Sequence, residues 1–274
     1  MKKLLKRALA GAGLQISRTG QALVIPRPEP GPATYGGAGL DWNAAAVDAF
    51  LAGPLRRFVP ECVSLPGYDP DNPFFGFADA AVAYAFVRER RPPVVVEVGS
   101  GNSSRVIRAA LDRNGAGRLL SIDPEPRTAV AGVCHEHRAE PVQKVPVEWF
   151  RDLPAGALLF IDSSHRAGTG SDVNHLFLEV LPSLRPGVLV HVHDIYLPDD
   201  YPVEWNVDRG FLYSEQYLLH ALLCFSSGFR ILWPGRWVLD HRRDELARVL
   251  GEREDLGRHC SFWLERVEES RSLP

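Results

Sequence analysis

Four short apolar runs constrain the fold of this chain more than anything else in it: PPVVVEVGS at 92–100, RLLSID at 118–123, ALLFID at 157–162 and GVLVHVHDI at 187–195. They are rich in valine, leucine and isoleucine, and each runs into glycine, aspartate or histidine at its end. Near-continuous apolar runs of this length are the pattern of parallel strands buried on both faces. Helical stretches separate them. Residues 78–90 are rich in alanine, SSRVIRAALDRN (103–114) is stopped by Gly115, and a helix over about 173–184 is stopped by Pro186 and Gly187, as glycine and proline commonly stop helices. A short strand is expected around 141–146 (PVQKVP), a helix over SEQYLLHALLCFSS, and two late strands at FRILW and SFWLERV. Strands that alternate with helices predict an α/β fold: a doubly wound, mostly parallel seven-stranded sheet, five parallel strands followed by a final pair.

The sheet domain is expected over 76–274, behind an N-terminal extension of residues 1–75 that serves as a lid, a dimer contact or a docking element. In that extension, MKKLLKRALAGAGL reads as a short amphipathic helix, PRPEPGPA (26–33) as a linker, and 43–58 as a short helix. The stretch from Pro60 to Pro73 reads as a long loop able to close over a site,.

Charge narrows the classes of partner. Thirty-one basic residues face thirty-four acidic ones, which is not the basic footprint of a nucleic-acid binder. The expected partner is a small-molecule or carrier-bound acceptor, and the chain itself is compatible with a homo-oligomer. Cysteines at 62, 134, 224 and 260 have neither zinc-knuckle nor disulfide-framework spacing, so reduced thiols in a cytoplasmic protein are expected. No apolar run is long enough to span a bilayer,.

In doubly wound sheets, ligands sit at the carboxyl ends of the strands, and the distinctive polar residues fall there. The first strand runs into Glu97-Val-Gly99-Ser-Gly101-Asn102-Ser103-Ser104. Glycines at such a turn let a ligand approach the backbone at a helix N-terminus. A dinucleotide fingerprint would place a third glycine where Ser104 stands. The second strand ends in Asp123, the fourth in Asp162, Ser163 and His165, and the fifth in His193 and Asp194. Alternation puts His191 and His193 on one face of the fifth strand. Ser171 or Asp172 is positioned to cap the helix that follows.

An acidic residue before a GxG turn, with a second acid ending the next strand, resembles class I S-adenosylmethionine-dependent methyltransferases. The set DSSH, TGSDV and HVHDI resembles a bacterial branch of that class, over roughly residues 77–267. The resemblance implies that Glu97, Gly99, Gly101 and Asp123 line the S-adenosylmethionine pocket, with Asp123 on the ribose diol. Asn102, Ser103, Asp162 and Ser163 are further cofactor contacts on the same reading.

The strand ends are also similar to the catechol O-methyltransferase pattern, in which carboxylates of the fourth and fifth strands hold a divalent metal. Here Asp162, His193 and Asp194 occupy those places. Histidine softens a site that otherwise suits magnesium, favouring manganese, iron, zinc or no metal. Without metal, His193 or His165 becomes the candidate general base, and the catalytic set is His193, Asp162 and His165. The expected function is methyl transfer from S-adenosylmethionine to an oxygen or nitrogen of a small molecule. The competing readings are a nicotinamide-dependent oxidoreductase and a non-catalytic cofactor-binding protein.

Overall fold

The computed structural model describes residues 14–16, 22–24, 36–126 and 130–268. Of the amphipathic helix expected at 1–14, all but Leu14, which lies in a strand, falls outside the described residues, as does the linker expected at 26–33. Leu14–Ile16 and Ala22–Val24 pair as an antiparallel ribbon.

Seven strands form the main sheet: β1 Val94–Val98, β2 Arg118–Ile122, β3 Glu136–Arg138, β4 Leu158–Ile161, β5 Leu189–Val192, β6 Phe229–Pro234 and β7 Phe262–Arg266. Their order is 3-2-1-4-5-7-6, with β7 antiparallel to both neighbours and every other pairing parallel. This is the expected doubly wound sheet, with one strand misplaced. The third strand is EHR at 136–138, while Val142–Lys144 is a 3-10 turn. His137 lies in that edge strand.

The helices are α1 (Ala44–Phe50, a π turn Leu51–Leu55, then Arg56–Cys62), α2 Phe77–Arg90, α3 Asn102–Asn114, α4 Val147–Arg151, α5 (Asp172–His175, a π turn Leu176–Val180, then Leu181–Ser183), α6 Glu215–Phe225, α7 Gly235–His241 and α8 Arg243–Leu250. Helix α1 runs through Pro60, so the loop expected from Pro60 begins only after Cys62. Its residues Val47, Phe50, Leu55, Phe58 and Cys62 share one core with α2 and the sheet.

Period-two alternation assigns the sheet residues to two layers. Val95, Leu158, Phe160, Leu189 and Trp263 pack under α1, α2 and α3. Val96, Val98, Leu159, Ile161, Val190 and Val192 pack on the other face with α5. Helix α2 is buried at every position from Phe77 to Val87, Asp79 included. His191 and His193 share parity with Leu189, so both rings face the α2 layer. His191 is a core residue there, stacked 3.8 Å from Phe160.

Register then builds a row of strand ends. Val98 pairs with Ile122 and Ile161, and Ile161 pairs with Val192. The next residues, Gly99, Asp123, Asp162 and His193, stand side by side, about 4.8 Å apart per strand. The chain winds outward from β1 through β2 to β3 and then crosses to β4 on the other side, so the switch point lies between β1 and β4. A crevice is expected outside the carboxyl ends of those two strands.

Candidate active site

A cavity of about 660 Å³ opens at that switch point, within the usual range for a small-molecule site. Its walls carry Gly99, Gly101, Asn102 and Ser103 from the β1 turn, Asp123 from β2, and Asp162 and Ser163 from β4. Asn72 to Phe75, from the loop before α2, complete one side. Asn102 Nδ2 donates to Asn72 Oδ1 at 2.8 Å and ties that loop to the turn. Asp172 also lines the cavity, while Ser171 caps α5 by accepting from the Asn174 N–H at 3.0 Å.

Gly99 makes the turn possible. Its φ is +84°, and a Cβ there would lie 1.9 Å from the Asp162 carbonyl oxygen. Only glycine lets the ends of β1 and β4 approach this closely. Asp123 is held by its own backbone setting: Oδ2 accepts from the Ser100 N–H at 2.7 Å, and Oδ1 from the Glu125 N–H at 2.8 Å. Ser163 Oγ is buried at the cavity wall with no hydrogen-bond partner among the described residues. A buried hydroxyl of this kind is a position for a ligand's polar atom.

Glu97 departs from expectation. It is fully buried behind the turn and is not part of the cavity wall. Its carboxyl oxygens accept from the hydroxyls of Ser103 at 2.7 Å and Ser104 at 2.5 Å. Burial pushes its pKa up to about 8, and those hydroxyls only partly oppose the shift. Glu97 therefore fixes the start of α3 from behind.

The expected catalytic residues do converge. His165 Nε2 lies 3.2 Å from Asp162 Oδ1 and 3.5 Å from Asp194 Oδ2. His193 Nδ1 lies 3.6 Å from Asp162 Oδ1 and 3.5 Å from Asp194 Oδ1. The four side chains thus close a ring between the ends of β4 and β5. His165 and Asp194 both hold left-handed backbone, with φ of 60° and 56°, a cost commonly stored at functional sites. Of the four, only Asp162 reaches the cavity wall.

Behind the ring lie residues that sequence reasoning missed. His165 Nδ1 meets the buried Glu215 of α6 at 2.8 Å. His193 Nε2 faces Asp79 of α2 at 3.8 Å and Cys260 Sγ at 3.9 Å. Burial alone would lower the pKa of both histidines. For His165, hydrogen bonds to Asp162 and Glu215 outweigh burial and raise it to about 10. For His193, the Cys260, Asp194 and Asp162 charges raise it well above the usual value. Burial would raise the Asp162 pKa, but the two histidines hold it well below the usual carboxylate range. A protonated imidazole cannot accept a proton, so these upward shifts run against the general-base role expected for His193 or His165.

Tyr201, Trp205 and Tyr213 follow β5 and pack on one another at ring distances of 5.6 and 5.8 Å, away from the cavity wall. Among the described residues, no helix is long and apolar enough to cross a membrane.

Residues 96–195, from the middle of β1 through the HVHDI segment, match a family model described as a methyltransferase domain. No curated protein matches the chain. Solved structures similar to it include the O-methyltransferase TomG from Streptomyces achromogenes in complex with S-adenosylmethionine (20% identity, 82% of this chain and 96% of that chain, TM-score 0.39). Another is an O-methyltransferase from Bacillus cereus in complex with S-adenosylhomocysteine (12%, 83% and 98%, 0.41). A third is the plantazolicin methyltransferase BpumL in complex with S-adenosylhomocysteine (12%, 82% and 95%, 0.44). The matched segment runs from β1 to the end of β5 and so carries the glycine turn and the switch point of the 3-2-1-4-5-7-6 sheet.

Proposed function

We propose that the cavity binds S-adenosylmethionine and that the protein transfers its methyl group to an oxygen or nitrogen of a small-molecule acceptor. One observation carries this reading. The glycine turn of β1, Asp123 of β2 and Asp162-Ser163 of β4 form one continuous wall around a ligand-sized cavity. On this reading Asp123 accepts from the ribose hydroxyls with the lone pairs left by its two backbone N–H bonds. Gly99 and Gly101 bring the chain against the cofactor, and Ser163 Oγ supplies an unused polar atom.

The acceptor enters beside Asp162. That carboxylate is anionic at neutral pH and is the member of the ring exposed to the cavity, so it can hold an acceptor O–H or N–H in line with the methyl group. Alignment is the larger part of what a sulfonium donor requires, because the leaving group is already good.

A divalent cation at the ring is a second part of this reading: each histidine has a ring nitrogen 3.2–3.6 Å from oxygens of Asp162 and Asp194. The outer nitrogen of each ring faces a buried carboxylate, Glu215 or Asp79, the support that metal-bound histidines commonly have. Asp162 and Asp194 would hold the ion with the ring nitrogen facing them, His193 Nδ1 or His165 Nε2. When bound, such an ion would lower the pKa of an acceptor hydroxyl.

The test is release of S-adenosylhomocysteine from S-adenosylmethionine over a panel of hydroxyl- and amine-bearing small molecules. Acceptor-dependent release supports the reading. No release with any acceptor, together with tight binding of NAD in the same cavity, would replace it with a nicotinamide-dependent reading.

A further inference from the structure

The second nitrogen of His193 faces a second donor set, joined to the first by the Cys260 thiol, which donates to Asp194 Oδ1 at 3.3 Å. Nδ1 points at the ring just described. Nε2 points the other way, toward Asp79 Oδ2 at 3.8 Å and Cys260 Sγ at 3.9 Å. These three atoms lie within 4.8 Å of one another, and all three residues are buried. They come from three separate elements: the first turn of α2, the end of β5 and the segment entering β7.

The spacing is informative. At 3.8 Å a nitrogen and a carboxylate oxygen are too far apart for a hydrogen bond. With sides of 3.8 and 3.9 Å and a third no longer than 4.8 Å, a point about 2.2–2.5 Å from all three atoms exists, close to the length of bonds from zinc to nitrogen, oxygen or sulfur. The carboxylate is also fixed in advance. Asp79 Oδ1 accepts from His259 Nδ1 at 2.7 Å, the Ser261 N–H at 2.9 Å and the Cys260 N–H at 3.2 Å. His259 is itself held from behind by Trp233 Nε1 at 2.7 Å. With Oδ1 so occupied, Oδ2 is the oxygen left for the His193 side.

We propose that Asp79, His193 and Cys260 form a second, buried metal site that takes a divalent cation of borderline softness, such as zinc or ferrous iron. One carboxylate, one thiolate and one neutral imidazole around a dication sum to zero charge, which suits a buried position. The thiolate selects against magnesium and calcium, which take oxygen ligands. Binding displaces the Cys260 Sγ proton and the His193 Nε2 proton to solvent. Nδ1 keeps its proton and donates toward Asp162 or Asp194, so the buried ion fixes the tautomer and angle of the His193 ring. The site does not depend on what occupies the cavity.

Cobalt(II) titration of chelator-stripped full-length protein tests this. A thiolate ligand gives cobalt an intense near-ultraviolet charge-transfer band, which a site of oxygen and nitrogen alone does not. The expected result is a band that saturates at one cobalt per chain. Cys260→Ser abolishes it, Cys62→Ser leaves it intact, and Asp79→Asn weakens cobalt affinity at least tenfold. Zinc X-ray absorption on the unmodified protein, showing one sulfur in the coordination shell, checks the same point without a variant. Cobalt binding with no thiolate band, a band that survives in Cys260→Ser, or no binding at all overturns the proposal. S-adenosylhomocysteine affinity measured on the same stripped protein shows separately whether the cavity reading holds.

Discussion

Replacing Gly99 by alanine tests the local geometry on which the cavity depends. The added Cβ would meet the Asp162 carbonyl oxygen at 1.9 Å and its carbon at 2.9 Å. Real Cβ contacts do not fall below 3.0 Å, so the ends of β1 and β4 must part by about 1 Å or more. Parting them weakens the hydrogen bond from the Asp162 N–H to the Val98 carbonyl, now 2.9 Å, at a cost of about 0.5–1.5 kcal/mol. The φ of +84° adds about 1–2 kcal/mol for a residue with a side chain,. Strain from forcing atoms into a packed strand junction adds about 1–3 kcal/mol. The expected loss is therefore about 2.5–6.5 kcal/mol, a large share of the roughly 5–15 kcal/mol that holds a typical domain together. Gly101 is the control. Its φ is −173°, no atom lies within 4 Å of a Cβ built there, and it lines the same cavity. Gly101→Ala should leave the urea midpoint nearly unchanged while weakening S-adenosylhomocysteine binding. Urea denaturation and calorimetry on both variants separate the two effects. A Gly99→Ala protein within about 1 kcal/mol of wild type, or equal destabilisation of both variants, would refute the close-approach argument.

Two further outcomes follow from the site. Ser163→Ala removes a buried hydroxyl that has no partner among the described residues; thermal unfolding should be unchanged or slightly improved, while cofactor affinity falls by about 0.5–1.5 kcal/mol. His165 has its pKa raised to about 10 by Asp162 and Glu215 against the effect of burial. The stability it contributes is complete below its ordinary pKa of about 6.5 and is lost as pH rises toward 10. The unfolding midpoint should therefore decline over that range, and His165→Gln should make the decline shallower; an identical slope in the variant would remove His165 from the network.

The sheet was legible because buried parallel strands are continuous apolar runs, three of which end in residues that line the cavity, Gly99, Asp123 and Asp162, and the fourth in His193. The third strand was not, because EHR is a polar three-residue edge strand held by backbone bonds to β2. Its neighbour PVQKVP carries more apolar residues yet forms only a turn. The residues joined at the carboxyl ends of β1, β2, β4 and β5 were found by position along the strands. Their partners were not. Asp79 reads as an ordinary acid in the first turn of a helix, Glu215 as another, and Cys260 as a scattered cysteine. Only tertiary packing brings them to His193 and His165, across separations of up to 181 positions between Asp79 and Cys260. Glu97 shows the converse. Strand alternation turns its side chain inward, away from the ligand side of the glycine turn, where two serine hydroxyls claim it.

The account stands most directly on one measurement: calorimetric titration of the full chain with S-adenosylhomocysteine, repeated on Asp123→Ala. Asp123 is anchored by two backbone N–H groups at the cavity wall. The account predicts saturable binding at one ligand per chain, weakened by about 1.5–3 kcal/mol in the variant, the scale of hydrogen bonds to a charged group. Absence of binding to the wild-type chain, or equal affinity in a folded Asp123→Ala protein, would contradict it.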